Sequence, residues 1–265
     1  MVKILKTAFI PIAQIKPNGS PEGRYKHAQN LMTDFYNNIK DEFGTHDVPL
    51  EKIKKAYLKV LPSHKRLEVH KLPQYTPNDG SVYIGMNKKR NIEGYIVNLK
   101  PNYYGIVQGL GLQEFGTLMH ESDHLFSYFT NPKYVKRIII MCENGYRDKN
   151  YFKFFDNELQ SVKKQNRKDL KSVLYKKLEK YFKNKSSAQK INTLQDFRYR
   201  LINERNAYNT GNTYQSMIED YHPGILSQKT SPVKVNRFYF DEKIEVISNM
   251  LKNVIRTERE KLKHT

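Results

Sequence analysis

One short segment constrains this chain more than any other: His120-Glu121-Ser122-Asp123-His124, within a stretch whose apolar residues recur at helical spacing. On a helix, side chains four positions apart lie on one face, so the imidazoles of His120 and His124 can reach the same metal ion. Glu121 lies beside that pair, where a carboxylate can take a proton from a water on the metal. The segment therefore predicts a metal-binding helix within residues 105–132.

Zinc is the metal that these ligand types favour. Imidazole nitrogens suit zinc, and a catalytic zinc site needs three protein ligands, which leaves one position for water. Other divalent metals also accept this set. The third ligand must come from elsewhere, and Glu204 is the first choice because it lies on a second predicted helix, 194–208. The competing third ligands are Glu143, which is nineteen residues after His124, and Asp148, Asp156, Glu158 and His222.

Together, the His120-to-His124 segment and the stretch Glu204-Arg205-Asn206-Ala207-Tyr208 resemble the zincin metallopeptidases of the gluzincin type. In that family a second helix supplies a glutamate ligand, often within an E-x-x-A-Y-like segment. The resemblance covers about residues 80–210. It implies a zincin-like fold, with His120, His124 and Glu204 as zinc ligands and Glu121 as the base in peptide hydrolysis. The interval between His124 and Glu204 is longer here than in that family, and a basic helix fills it.

Peptide hydrolysis also needs a donor that stabilises the oxyanion of the tetrahedral intermediate. Tyr208, Tyr221 and His222 are the candidates. Of these, Tyr208 and His222 are predicted as catalytic residues beside Glu121. Strand-like runs at 81–86 and 94–99 predict a hairpin, and the second strand would offer its edge to an extended peptide, as in strand addition.

The remaining periodicity predicts an α+β fold, mostly helical, with a small antiparallel sheet, and the zincin resemblance implies that this sheet lies next to the metal-binding helix. Residues 1–24 and 211–236 are expected to be extended or loop-like. We expect one zincin-like domain over 1–240 with a basic helical insertion at about 149–190, and a C-terminal amphipathic helix, 241–265, packed on it. The other predicted helices are 27–43 and 51–61.

The charge balance indicates an anionic partner. The chain has 46 Lys and Arg against 27 Asp and Glu, a formal net charge of +19. Such an excess favours nucleic acid or an acidic assembly, contacted through the basic helix. No helix-turn-helix, zinc-finger or RNA-recognition signature is present. Two hypotheses follow: a phage-encoded zinc metallopeptidase acting on a protein or peptide, and a virion structural or adaptor protein with a zincin-like domain of weak or lost activity.

The single cysteine, Cys142, excludes an intramolecular disulfide and is expected to be a small buried apolar residue. No apolar run approaches the roughly 18 residues of a membrane-spanning helix, and no signal-peptide pattern is present. We therefore expect a soluble protein without a membrane partner, located in the host cytoplasm or, for a phage protein, on the virion. The oligomeric state is not indicated.

Overall fold

The structure is a computed structural model that describes residues 5–6, 21–44, 46–61, 66–76, 79–89, 91–101, 109–132, 135, 150–160, 169–223, 237–261 and 263. Cys142, Glu143 and Asp148 lie outside these ranges. Most of the described residues are helical, and the strands form a small sheet, so the α+β prediction is confirmed at this level. None of the helices in the described part of the chain combines the length and apolar character needed to cross a membrane.

In chain order the elements are β1 (Leu5–Lys6), α1 (Pro21–Ile39), β2 (Val48–Pro49), α2 (Leu50–Val60), β3 (Arg66–Lys71), β4 (Gly80–Met86), β5 (Ile92–Leu99), β6 (Gly109–Leu110), α3 (Phe115–Thr130), α4 (Tyr151–Phe154), α5 (Leu170–Phe182), α6 (Ser187–Tyr221) and α7 (Arg237–Lys261). A π-helical turn, Phe155–Gln160, follows α4. Among its described residues, the basic helical insertion predicted at about 149–190 contains α4, the π-helical turn, α5 and the start of α6. The C-terminal helix begins four residues before Asp241, its predicted start.

Contacts within the chain group its residues into two compact units. The first comprises Met1–Ala8, Pro17–Lys136 and Asn206–Lys234, and the second comprises Phe9–Lys16, Arg137–Arg205 and Val235–Thr265. Helix α6 is continuous across the boundary at Arg205. In this grouping the basic region and the C-terminal helix share a unit; the single domain expected over 1–240 stays a prediction.

The first unit contains a mixed sheet with the strand order β1-β4-β5-β3. The predicted hairpin is present, since β4 and β5 pair antiparallel. Strand β3 was not predicted, and it pairs parallel with β5, with Arg66 opposite Gly94. A Cβ at Gly94 would collide with the Arg66 carbonyl, so glycine permits this approach. Because β5 has partners on both sides, the expectation that residues 94–99 offer a free edge is wrong.

Helix α3 is the centre of the first unit. An aromatic cluster surrounds it: Phe35 stacks on Tyr57 at 4.2 Å, Phe126 meets Phe35 edge-on at 5.9 Å, and Phe115 meets Phe43 at 4.7 Å. All five rings are buried. Such pairs add about 0.5–1.5 kcal/mol each beyond the area they bury. The cluster packs α3 against α1 and α2, and α3 also contacts β4 and β5 of the sheet.

The second unit packs α5 against α7. Helix α5 buries a residue at every fourth position: Leu170, Leu174, Leu178 and Phe182. Helix α7 contributes the buried side chains of Val246, Ile247 and Met250. Deeper in this unit, the Tyr151 hydroxyl donates a hydrogen bond to Asp196, and the Arg200 guanidinium lies 4.1 Å from the centre of the Phe155 ring. The apolar periodicity of a very basic sequence therefore reflects a packed helical core.

Candidate metal centre

Helix α3 presents two imidazoles toward one point. The Nε2 atoms of His120 and His124 lie 3.2 Å apart, and the rings meet edge to face. Two nitrogens bound to one tetrahedral zinc at about 2.0–2.1 Å lie about 3.3 Å from each other. His124 is buried, at 3% exposure, while His120 is partly exposed. A metal ion bound by the two imidazoles would therefore be accessible to solvent on the His120 side.

Glu204 of α6 completes the group. One ligand atom each from His120, His124 and Glu204 all lie within 4.8 Å of one another. Glu204 is only 7% exposed, and a buried carboxylate is costly unless a cation or hydrogen bonds offset the lost hydration. This group of two imidazoles and one carboxylate could hold a metal ion, in the ligand combination that catalytic zinc uses.

The other candidate ligands are placed differently. Glu143 and Asp148 lie outside the described residues. Glu158 accepts a hydrogen bond of 2.6 Å from the Lys177 ammonium, and Asp156 is exposed on the same π-helical turn. The His222 Nε2 donates to the Lys40 carbonyl at 3.0 Å. Among the described candidates, only Glu204 joins the two histidines.

Two glycines bring α6 against α3. A Cβ at Gly211 would lie 2.6 Å from the Gly116 carbonyl oxygen and 3.3 Å from the His120 Cβ. Gln215, one turn further along α6, accepts a hydrogen bond of 2.6 Å from the Gly116 amide and donates to the Leu112 carbonyl at 3.0 Å. The first amides of a helix have no partner within it, so Gln215 caps α3 from the neighbouring helix.

A second set of contacts lies nearer the metal group. The Thr210 hydroxyl donates to Asp123 Oδ1 at 3.0 Å. Burial raises the pKa of Asp123, while His124 and the Thr210 hydrogen bond oppose that rise. The Tyr208 ring meets the His120 ring edge-on at 4.5 Å. Asp123 thus anchors α6 to α3.

The residues of α6 that define this site share one face. Glu204, Tyr208, Gly211 and Gln215 follow one another at intervals of four, three and four residues, which is the spacing of a helix stripe. Sequence reasoning missed Gly211 and Gln215 because it ended the helix at residue 208. The stripe spacing, counted forward from Glu204, is the signal that would have found them.

Glu121 faces the beginning of a strand. A Cβ at Gly80, the first residue of β4, would lie 2.6 Å from Glu121 Cγ and 2.8 Å from Oε1. Glu121 as a whole is 6% exposed. Its neighbour Ser122 donates to the Leu118 carbonyl at 2.7 Å and accepts from the Tyr57 hydroxyl at 2.7 Å. Burial raises the pKa of Tyr57, so this hydroxyl stays protonated and can donate.

Tyr221 and His222 lie at the other end of α6. The Tyr221 hydroxyl donates to Asp41 at 2.5 Å, and His222 contacts the Lys40 carbonyl as described. With a rise of about 1.5 Å per residue, Tyr221 is about 25 Å along the helix from Glu204. The structure therefore does not bring these two residues to the metal group, whereas it does bring Tyr208 there.

No family model, curated protein or solved structure matches the chain. A fold alone would in any case not define an activity. The function must therefore be argued from the residues that converge at this site.

Proposed function

We propose that this protein is a zinc metallopeptidase of the gluzincin type, with His120, His124 and Glu204 as the zinc ligands. The observation that carries the proposal is the convergence of two imidazole Nε2 atoms, 3.2 Å apart, with the buried carboxylate of Glu204. Zinc held there would act as a Lewis acid that lowers the pKa of a bound water toward neutrality. Side chains of the protein itself would carry out the remaining steps.

Glu121 is the proton carrier in this proposal. Its carboxylate accepts the proton of the attacking water and then delivers that proton to the amine that leaves. Contact with Gly80 on one side limits where the side chain can lie, and burial reduces its contact with bulk water. A carboxylate held in this way is pre-positioned for transfer, which is where much of the benefit of intramolecular catalysis arises.

Tyr208 is the proposed donor to the oxyanion. Its ring packs on the His120 ring, and the residue is only partly buried. A phenol beside a metal ligand can donate a hydrogen bond to the carbonyl oxygen as negative charge develops there. Tyr208 lies one turn from Glu204 on α6, so the contacts that dock this helix position ligand and donor together.

The substrate would lie along β4. Gly80 pairs with Leu99 of β5 on one side. On the other side, the described residues of β1 pair only with Tyr83 and Ile84. In this proposal an extended peptide pairs with residues 80–82, directly beside Glu121. This assigns the role first predicted for residues 94–99 to the preceding strand, and an active-site helix next to such a strand is the arrangement that the zincin resemblance implies.

Metal content and turnover test the proposal together. We expect about one zinc per chain by elemental mass spectrometry, lost in Glu204→Ala and kept in Glu93→Ala, an exposed glutamate of β5. Unfolded casein and a mixed peptide library serve as substrates, with cleavage followed by mass spectrometry. Glu121→Gln should keep zinc but lose cleavage.

Two results would contradict the proposal. Unchanged metal content in His120→Ala or Glu204→Ala would refute the ligand assignment. A zinc-loaded wild type that cleaves no peptide would instead favour the adaptor hypothesis, in which the domain has lost its activity.

A further inference from the structure

The positive charge is concentrated in the second unit. Its 108 residues include 26 Lys and Arg and 13 Asp and Glu, a net charge of +13. The first unit has 20 basic and 14 acidic residues in 157, a net charge of only +6. About two thirds of the net charge thus belongs to the second unit. A field localised in this way points to an anionic partner of that unit.

A groove of about 400 Å³ runs between α5 and α7 of this unit. Phe182 and Met250 line it and are almost fully buried, whereas Tyr175 is 38% exposed. Lysines line it as well: Lys183, Lys190 and Lys261. The groove therefore combines an apolar interior and an accessible aromatic ring with cationic side chains.

The two acidic residues that line the groove offset only part of the positive charge around it. Glu258 accepts hydrogen bonds from the Ser187 hydroxyl at 2.6 Å and from the Lys261 ammonium at 2.9 Å. These bonds are the main reason that its pKa is lowered. Glu179 is the other acidic residue. The segments 170–190 and 250–263, which include both walls of the groove, contain twelve basic and three acidic residues.

A row of lysines continues from the groove along α5. Lys176, Lys180 and Lys183 are separated by four and three residues, so they share one helix face. All three are exposed, and none has an ion-pair partner within the described part of the chain. Lys183 belongs both to this row and to the groove. The row therefore places positive charge next to the aromatic side chains that line the groove.

We propose that the groove between α5 and α7 binds single-stranded nucleic acid. Phosphates lie along Lys176, Lys180 and Lys183, and a base stacks on Tyr175. An acidic peptide would need the lysines alone, whereas unpaired bases also use the apolar interior and the aromatic ring. A duplex cannot insert its stacked bases into such a groove. This surface is independent of the proposed peptidase chemistry.

Fluorescence anisotropy with a labelled oligothymidylate of about twenty nucleotides tests the proposal on the full chain. The triple variant Lys176→Gln/Lys180→Gln/Lys183→Gln should bind at least about tenfold more weakly at low salt. The slope of log affinity against log salt should fall by about 2, since each phosphate contact on a single strand contributes about 0.7. Tyr175→Ala should weaken binding about fivefold or more while leaving the salt slope unchanged.

The matched control carries the same charge change on the first unit, Lys55→Gln/Lys59→Gln/Lys89→Gln, where all three lysines are exposed. An equal loss of affinity in this control would refute a localised surface. Equal binding of a duplex, or of polyglutamate at the same charge, would refute single-stranded nucleic acid as the ligand. Weaker binding of both, together with the two variant effects, supports the proposal.

Discussion

Gly211 of α6 lies directly against the carbonyl oxygen of Gly116 in α3, at a separation that leaves no room for a methyl group. This contact determines how closely the two helices approach and therefore where Glu204, seven residues before Gly211, can lie. Gln215 and Thr210 reinforce it through hydrogen bonds to Gly116 and Asp123. The metal centre thus depends on packing contacts that contain no metal ligand.

Gly211→Ala tests this dependence. Alanine in place of glycine favours a helix by about 1 kcal/mol, so local propensity alone predicts a more stable protein. The collision with Gly116 predicts the opposite, because overpacking costs about 1–3 kcal/mol. We expect a lower melting temperature and weaker zinc binding, measured by thermal denaturation and by competition with a chelator. Ser216→Ala, at an exposed position of the same helix, is the control, and a stabilised Gly211→Ala protein with normal zinc affinity would disprove the packing argument.

Gly80→Ala should act on catalysis rather than on folding. The three atoms nearest to the new methyl group would all belong to the side chain of Glu121, the closest at 2.6 Å, so the change displaces the proposed base rather than the backbone. A displacement of the base by about 1 Å can lower turnover about a hundredfold. We expect this loss in kcat, with unchanged zinc content and melting temperature. In the control, Gly85→Ala, the nearest atom is 3.7 Å away; equal kinetics in the two variants would show that Gly80 does not position Glu121.

Tyr208→Phe separates hydrogen bonding from packing. The phenylalanine keeps the edge-on ring contact with His120 but lacks the hydroxyl. Loss of one oxyanion donor costs about 10²–10³ in kcat, and we expect that decrease with little change in KM or zinc content. Tyr221→Phe, at the far end of α6, should leave kcat unchanged. Normal turnover in Tyr208→Phe would remove this residue from the mechanism.

The lowered pKa of the buried Lys243 makes the free energy of unfolding depend on pH. Burial is the main cause that lowers its pKa from 10.5 to about 8, and its ammonium donates to the Leu159 carbonyl at 2.7 Å. Between these two pKa values the unfolded chain holds a proton that the folded chain has released, so the folded state gains stability as pH rises. Below about pH 8 both states are charged, and this contribution is constant.

Urea denaturation at a series of pH values from 7 to 10 measures this effect. The free energy of unfolding of wild type should rise above pH 8 relative to that of Lys243→Met, which has no titrating group at this position. Parallel curves for the two proteins would contradict a depressed lysine pKa. The comparison cancels the ionisation of the other residues, because both proteins contain them.

Much of the site could be predicted from local sequence. The spacing of His120 and His124 on a helix depends only on helical geometry, and the structure places both nitrogens as that geometry requires. Glu204 also joins the group. The β4–β5 hairpin follows from alternating apolar residues separated by a short polar stretch. For the histidine pair and the hairpin, residues close in the chain determine the outcome, whereas Glu204 joins the group only because α6 packs against α3.

Other features depend on partners distant in the chain. Gly211 looked like the start of a loop, because glycine disfavours helices in isolation, yet it lies inside α6, where the approach of Gly116 requires the absence of a side chain. Strand β5 looked like an edge until β3 paired with it in parallel. His222 looked like a catalytic residue, but the length of α6 carries it away from the metal group.

The sequence by itself thus determined the helical presentation of two imidazoles and a neighbouring carboxylate, because an i, i+4 relationship is set within a single turn. Only the tertiary structure decided which carboxylate and which tyrosine meet them, since that depends on how closely α6 can approach α3. It also decided that the excess positive charge gathers in one unit. The sequence gives the number of charged residues, but their position on the surface is set only when helices such as α5 and α7 pack and leave one face of each exposed to solvent.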